Sequence, residues 1–312
     1  MINFKNYTDF SELLGRYGHN ISEFVTMQLG YDNRIYILLN SKVPERIDGM
    51  FVPTRSDSGY SVIVVEADWE SGILTDEKHY PLGAQDLNYH FVQPYDDGFL
   101  LVGSRCMNYQ KTGPELNAAV MDKQGGIIRR FCLGDGINDC RVKSDGSIVT
   151  SYFDEGIFGN YGWTEPVGAD GLIVWDREIN AKWSSDRSIY DCYAINFDEQ
   201  EKLWYYYYDE FELVCTDLVS EKSYDPDISG SDGFLLTADG RAAIFGAGYD
   251  HYGEFRLLRF ANDTLSAPEE IVFGYNSEPL RTASYTFNKS YAAFIDENNR
   301  LFVKRFVSVD EL

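Results

Sequence analysis

The stretch Asp145-Gly146-Ser147-Ile148-Val149-Thr150-Ser151-Tyr152 closely follows the short segment Cys140-Arg141-Val142. Asp-Gly between two apolar runs is the strongest short hairpin signal, because glycine accepts a positive φ at little cost. The same unit recurs outward in both directions, as a short apolar strand, a tight polar turn and a second aliphatic or aromatic strand. Its turns are Asp32-Asn33, Asp97-Gly98, Asp145-Gly146, Glu199-Gln200, Asp239-Gly240 and Asn288-Lys289. Their first residues lie 65, 48, 54, 40 and 49 positions apart.

A period near 50 residues in an all-β chain is the signature of propeller blades. The expected fold is therefore an all-β, six-bladed β-propeller of four-stranded antiparallel blades, spanning residues 1–312 as one domain. Blades are expected near 24–83, 88–134, 137–185, 190–225, 228–274 and 280–307. The last unit lacks an outer strand, so an N-terminal strand over 2–7 is expected to close the ring. Between that strand and the first blade, residues 9–14 read as a short capped helix. The run Trp204-Tyr205-Tyr206-Tyr207-Tyr208 reads as a strand packed on both faces.

Composition narrows the function. Lys and Arg number 27 against 50 Asp and Glu, giving a formal net charge of −23. Such a field repels a phosphate backbone, and no basic patch offsets it, so nucleic acid is not an expected partner. No apolar run is long enough to span a membrane, and the opening residues lack the pattern of a secretory signal. The five cysteines are odd in number and include no Cys-x-x-Cys pair, which fits reduced thiols and a cytoplasmic setting. Phosphate-loop, His-Glu-x-x-His and nucleophile-elbow motifs are absent.

Binding residues favour loops over a rigid scaffold. The longest loops between second and third strands are Ser41–Gly59, Arg105–Glu115 and Phe153–Ala169. The third unit carries Asp135 and Asp139 before its turn, then Asp154, Glu155, Asn160, Tyr161 and Trp163 after it. These two segments should meet on one face, with the carboxylates and Asn160 as oxygen donors and Trp163 as an aromatic wall. His90, Asp139, Asp191, Asp232 and Arg281 precede their turns by similar distances. Asp139, Asp191 and Asp232 thus form a candidate site for Ca²⁺ or Mg²⁺, which take oxygen ligands. His251, in a loop on the same face, completes the candidate ligand-binding set.

The segments Gly136-Ile137-Asn138-Asp139, Asp145–Val149, Gly156-Ile157-Phe158 and Gly171–Asp176 resemble the propeller repeats of bacterial sensor ectodomains and streptogramin-lyase-like proteins. Asp135-Gly136-Ile137 with Tyr152–Gly156 also looks like a group of uncharacterised bacterial propellers. The likeness covers about one blade and implies architecture. Calcium lactonases of the gluconolactonase type share the expected ring of channel carboxylates, but their ligand motif has no residue-by-residue match here. The expected function is binding of a small ligand or protein at the loop face around a central channel. The alternative is a metal-dependent hydrolase or lyase using the carboxylates at the channel mouth.

Overall fold

The computed structural model describes residues 1–44 and 53–312. The centre of the Ser41–Gly59 loop, residues 45–52, lies outside them. Each expected hairpin forms, and each turn has a left-handed residue at or beside its predicted centre. Gly146 and Gly240 fill that role at their Asp-Gly turns, while Asn33, Glu201 and Lys289 fill it elsewhere. At Asp97-Gly98 the left-handed residue is Asp96, φ 48°. Gly98 serves a different need there, since a Cβ on it would lie 1.9 Å from the Met121 carbonyl oxygen.

The chain divides into two compact units. One comprises residues Tyr17–Val65 and Glu77–Cys192. It contains most of the first sheet, whose strands Phe24–Leu29, Ile35–Asn40, Gly59–Asp68 and Ile73–Ala84 neighbour one another in chain order. The second sheet runs Phe91–Tyr95, Gly98–Val102, Ala118–Met121 and Ile127–Phe131. A two-stranded hairpin, Asn108–Tyr109 with Gly113–Pro114, is inserted in it. The third sheet runs Ile137–Val142, Ile148–Tyr152, Leu172–Trp175 and Ala181–Ser184. Second strands are buried on both faces, as at Ile35–Asn40 and Ile148–Tyr152. Each large aliphatic side chain so buried contributes about 1.5–3 kcal/mol.

The other unit comprises Met1–Arg16, Glu66–Asp76 and Tyr193–Leu312. The fourth sheet places Leu203–Tyr208 between Asp191–Phe197 and Leu213–Thr216, with Glu221–Tyr224 at its edge. Trp204 to Tyr207 are buried, in keeping with the packing role expected of them, and Tyr208 emerges at the strand end. The fifth sheet is built on Phe234–Leu236, Ala242–Gly246 and Phe255–Ala261, which pairs with both Thr264–Leu265 and Glu269–Ile271. The last large sheet joins Thr282–Asn288, Tyr291–Asp296 and Arg300–Arg305 to Thr8–Asp9.

Two expectations are corrected here. Six blades were expected, but the described residues form seven sheets of three or more strands. The additional sheet is small, with Ile2–Phe4 parallel to Phe273–Tyr275 and the latter paired with Glu278–Pro279. The strand expected over 2–7 is therefore limited to Ile2–Phe4 and lies in this small sheet, and the last large sheet is joined instead by Thr8–Asp9. Ile2 and Phe4 are buried while Asn3 is exposed. The Phe4 ring lies 5.9, 5.6 and 5.1 Å from Phe273, Phe294 and Phe302. That apolar cluster captures the first strand, and Thr8–Asp9 completes the last large sheet through Arg300 and Leu301. Asp9 also caps the helix Phe10–Gly15, its carboxylate accepting from the Glu12 amide at 2.9 Å.

Candidate functional site

The two segments singled out in the third unit do meet. The Phe153 amide donates to the Gly136 carbonyl at 2.9 Å. A Cβ on Gly136 would lie 2.3 Å from the Gly156 nitrogen, so the two backbones touch only because both residues lack one. After Phe153 the chain turns into the short helix Asp154–Phe158, with Asp154 and Glu155 in its first turn.

The centre of this junction is Arg105, a residue outside the expected set. Its guanidinium donates to Asp135 at 2.9 Å and pairs with Glu155. It lies over the Tyr161 ring at 4.1 Å and the Phe153 ring at 5.2 Å. The side chains of Arg105 and Asp135 are 4% and 1% exposed, so the charges are desolvated and each needs the other. Asp135 also accepts from the Cys106 amide at 2.7 Å. Burial outweighs the attraction of Arg105 and moves the Asp135 carboxyl up to about 6.

The neighbouring residues extend the same bracing. The Trp163 indole donates to the Cys106 carbonyl at 2.7 Å. Asn160 caps its own turn, receiving the Tyr161 amide through its side chain and the Trp163 amide through its carbonyl. His90 Nδ1 accepts from the Ser104 amide at 3.0 Å, fixing the start of the Arg105 loop. Of the expected ligand-binding residues, Asp135, Glu155, Trp163 and His90 thus take part in joining neighbouring loops, and Asn160 shapes one of them. The exposed part of the junction is different. Asp154 and Phe158 lie open on the short helix, and the Phe158 ring stands 5.7 Å from that of exposed Tyr190.

Among the described residues, no group of three or more His, Cys, Asp or Glu side chains is disposed to hold a metal ion. Asp139 is occupied by Arg141 at 2.8 Å, Gln28 at 3.0 Å and the Cys140 amide at 2.8 Å. Asp232 accepts from the Tyr285 hydroxyl, in the other unit. Asp191 has a buried oxygen, Oδ1, with no hydrogen-bond partner. Burial and the nearby Asp154 push its carboxyl up to about 7, so it carries a proton well above the usual range. Asp139 and Asp232 have local partners, and Asp191 a buried unpartnered oxygen, none of which uniform spacing along the sequence reveals.

His251 is exposed and lies 3.2 Å from Glu254, in the unit that does not contain the third sheet. The same unit carries an aromatic cluster, of which the sequence suggests only a packing role for Tyr208. Tyr193, Tyr208, Phe211 and Tyr249 form a cluster with ring centroids 5.4 to 6.4 Å apart. The signal was present in Tyr207–Glu212 and Gly248–Gly253, where aromatic and acidic residues alternate between strands. Among the described residues, no helix is long and apolar enough to cross a membrane.

The fold is an all-β β-propeller. It is similar to a complex of KlAtg21 with the coiled coil of AgAtg16, at TM-score 0.52 and 11% identity, covering 91% of this chain and 81% of that one. Hsv2 of Kluyveromyces lactis matches at TM-score 0.51 and 12% identity, over 92% of this chain and 76% of that one. A chain in the crystal structure of the mitotic checkpoint complex matches at TM-score 0.50 and 9% identity, over 93% and 92%. At these identities the likeness is one of fold. No family model matches the sequence. No curated protein matches it either.

Proposed function

We propose that this chain is an interaction propeller that recognises a protein partner through loops of its third sheet. The observation that carries the reading is the Arg105–Asp135–Glu155 junction, which spends its charges on bracing and leaves Phe158 and Tyr190 exposed above it. Preorganised loops reduce the ordering cost of association, and exposed aromatics supply its apolar anchors. The fold neighbours support the same direction, since two were solved within protein complexes. The resemblance of the third repeat to those of sensor ectodomains accords with recognition. Free thiols at all five cysteines, including Cys106 and Cys132 with sulfurs 3.7 Å apart, support a reducing, cytoplasmic setting.

The test is affinity capture, followed by titration of the purified captured partner against Phe158→Ala and Asp154→Ala. Loss of an anchor residue should weaken binding about tenfold. Affinity unchanged in both variants would refute the site. A thermal-shift comparison in Ca²⁺ and in EDTA separates this reading from metal-assisted hydrolysis. The midpoints should coincide, because a ligand of the folded state would raise one of them.

A further inference from the structure

A second surface, within the unit that contains the fourth, fifth and last large sheets, has a chemistry of its own. Tyr208 ends the strand Leu203–Tyr208, Phe211 lies in the loop that follows it, and Tyr249 comes from the loop after Ala242–Gly246. Tyr193, at the start of the fourth sheet, lies between them. Its ring is 6.4 Å from Phe211 and 6.3 Å from Tyr249, and its hydroxyl is hydrogen-bonded to that of Tyr249. Tyr208 is 40% exposed, Tyr249 52% and neighbouring Tyr252 69%. The Tyr252 hydroxyl donates to the Ala283 carbonyl at 3.0 Å and that of Tyr249 bonds to Tyr193, yet the three rings stay open, and exposed apolar patches of this kind mark contact sites.

The charge around these rings is one-sided. The segments 207–212, 225–232 and 247–254 hold eight Asp or Glu residues and no Lys or Arg, and of these acids Glu254 is paired with Arg256 at 3.2 Å just beyond the last segment. Asp209, Glu210, Asp232 and Asp250 are exposed. Aromatic faces carry negative quadrupole potential and attract guanidinium or ammonium groups, and the carboxylates add to that attraction. An acidic segment is repelled by the same carboxylates, and a purely apolar one gains ring contact but none of this electrostatic attraction.

We infer that the Tyr193–Tyr208–Phe211–Tyr249 cluster and its acidic rim form a docking site for a cationic peptide segment, in which Arg or Lys side chains lie against the exposed rings. This surface belongs to other residues than the third-sheet site proposed above, so either reading can fail without the other.

The test uses the full chain and dye-labelled synthetic peptides of equal length: Arg-Gly repeats, Lys-Gly repeats, Glu-Gly repeats and Ser-Gly repeats. Binding is read by anisotropy at about 0.15 M salt, where distant charges are largely screened. Saturable binding is expected for the Arg and Lys peptides only. Tyr208→Leu with Tyr249→Leu keeps apolar bulk but removes two ring faces, and should weaken the Arg peptide about fivefold to thirtyfold. Glu165→Gln with Glu278→Gln removes two exposed charges elsewhere and should change it less than about twofold. Equal weakening in the two double variants would assign the binding to the general negative field and overturn the proposal. Absence of saturable binding, or equal binding of the Ser-Gly peptide, would also overturn it. Matching circular dichroism spectra of variant and parent exclude unfolding as the cause, and Tyr208→Leu alone serves if the double variant is unstable.

Discussion

At the residue scale, two buried charges set testable energetics. Arg105→Met leaves Asp135 without its partner inside the protein, and breaking a buried pair in this way costs about 3–5 kcal/mol. Adding Asp135→Leu to that variant should recover a large part of the loss, as urea unfolding of both would measure. Asp191 behaves in the opposite sense. Its carboxyl is raised to about 7 in the folded chain, so the folded state holds a proton that the unfolded state releases near pH 4. Its contribution to stability is therefore greatest in acid and falls as pH rises from about 4 to about 7. Asp191→Asn should flatten that slope and be the more stable protein at pH 8, by on the order of 2–4 kcal/mol. Thermal unfolding from pH 4 to pH 8 checks it, and a parallel slope in parent and variant would exclude Asp191 as the cause. The sequence could identify Asp135 and Glu155 as oxygen donors beside glycines. It could not pair them with Arg105, which lies 30 and 50 residues away and is joined to them only by folding.

Strands and turns were the most legible level, because a hairpin is encoded within a few residues. Every one of the six turn signals gives a hairpin, and Asp9 starts its helix where the cap pattern placed it. Pairing between distant parts of the chain has no such local code, which is why the strand expected over 2–7 is confined to Ile2–Phe4 in the small sheet, while Thr8–Asp9 joins the last large one. Removing residues 1–9 should expose the Arg300–Arg305 edge and open the cluster around Phe273 and Phe302. The expected result is a clearly lower thermal midpoint, and an unchanged one would mean these strands contribute no stability. Gly98 supplies a sharper local test. Gly98→Ala must displace the Met121 carbonyl, and overpacking of that kind costs about 1–3 kcal/mol even though the residue has an ordinary φ.

For the whole molecule the dominant quantity is the net charge of −23. Self-repulsion at this level opposes the compact state and is relieved by counterions. Raising salt from about 0.01 M to about 0.15 M should raise the thermal midpoint, which differential scanning calorimetry would register. The acidity was plain in the composition, yet its concentration beside Tyr208 and Tyr249 depends on which loops the fold brings together. The parallel pairing of Ile2–Phe4 with Phe273–Tyr275 has a consequence for synthesis on the ribosome. The first strand is made with no partner and must wait until the matching residues emerge, on the order of tens of seconds later at 5–20 residues per second. During that interval Ile2 and Phe4 are exposed on the nascent chain, where a chaperone would find them before the folded protein hides them.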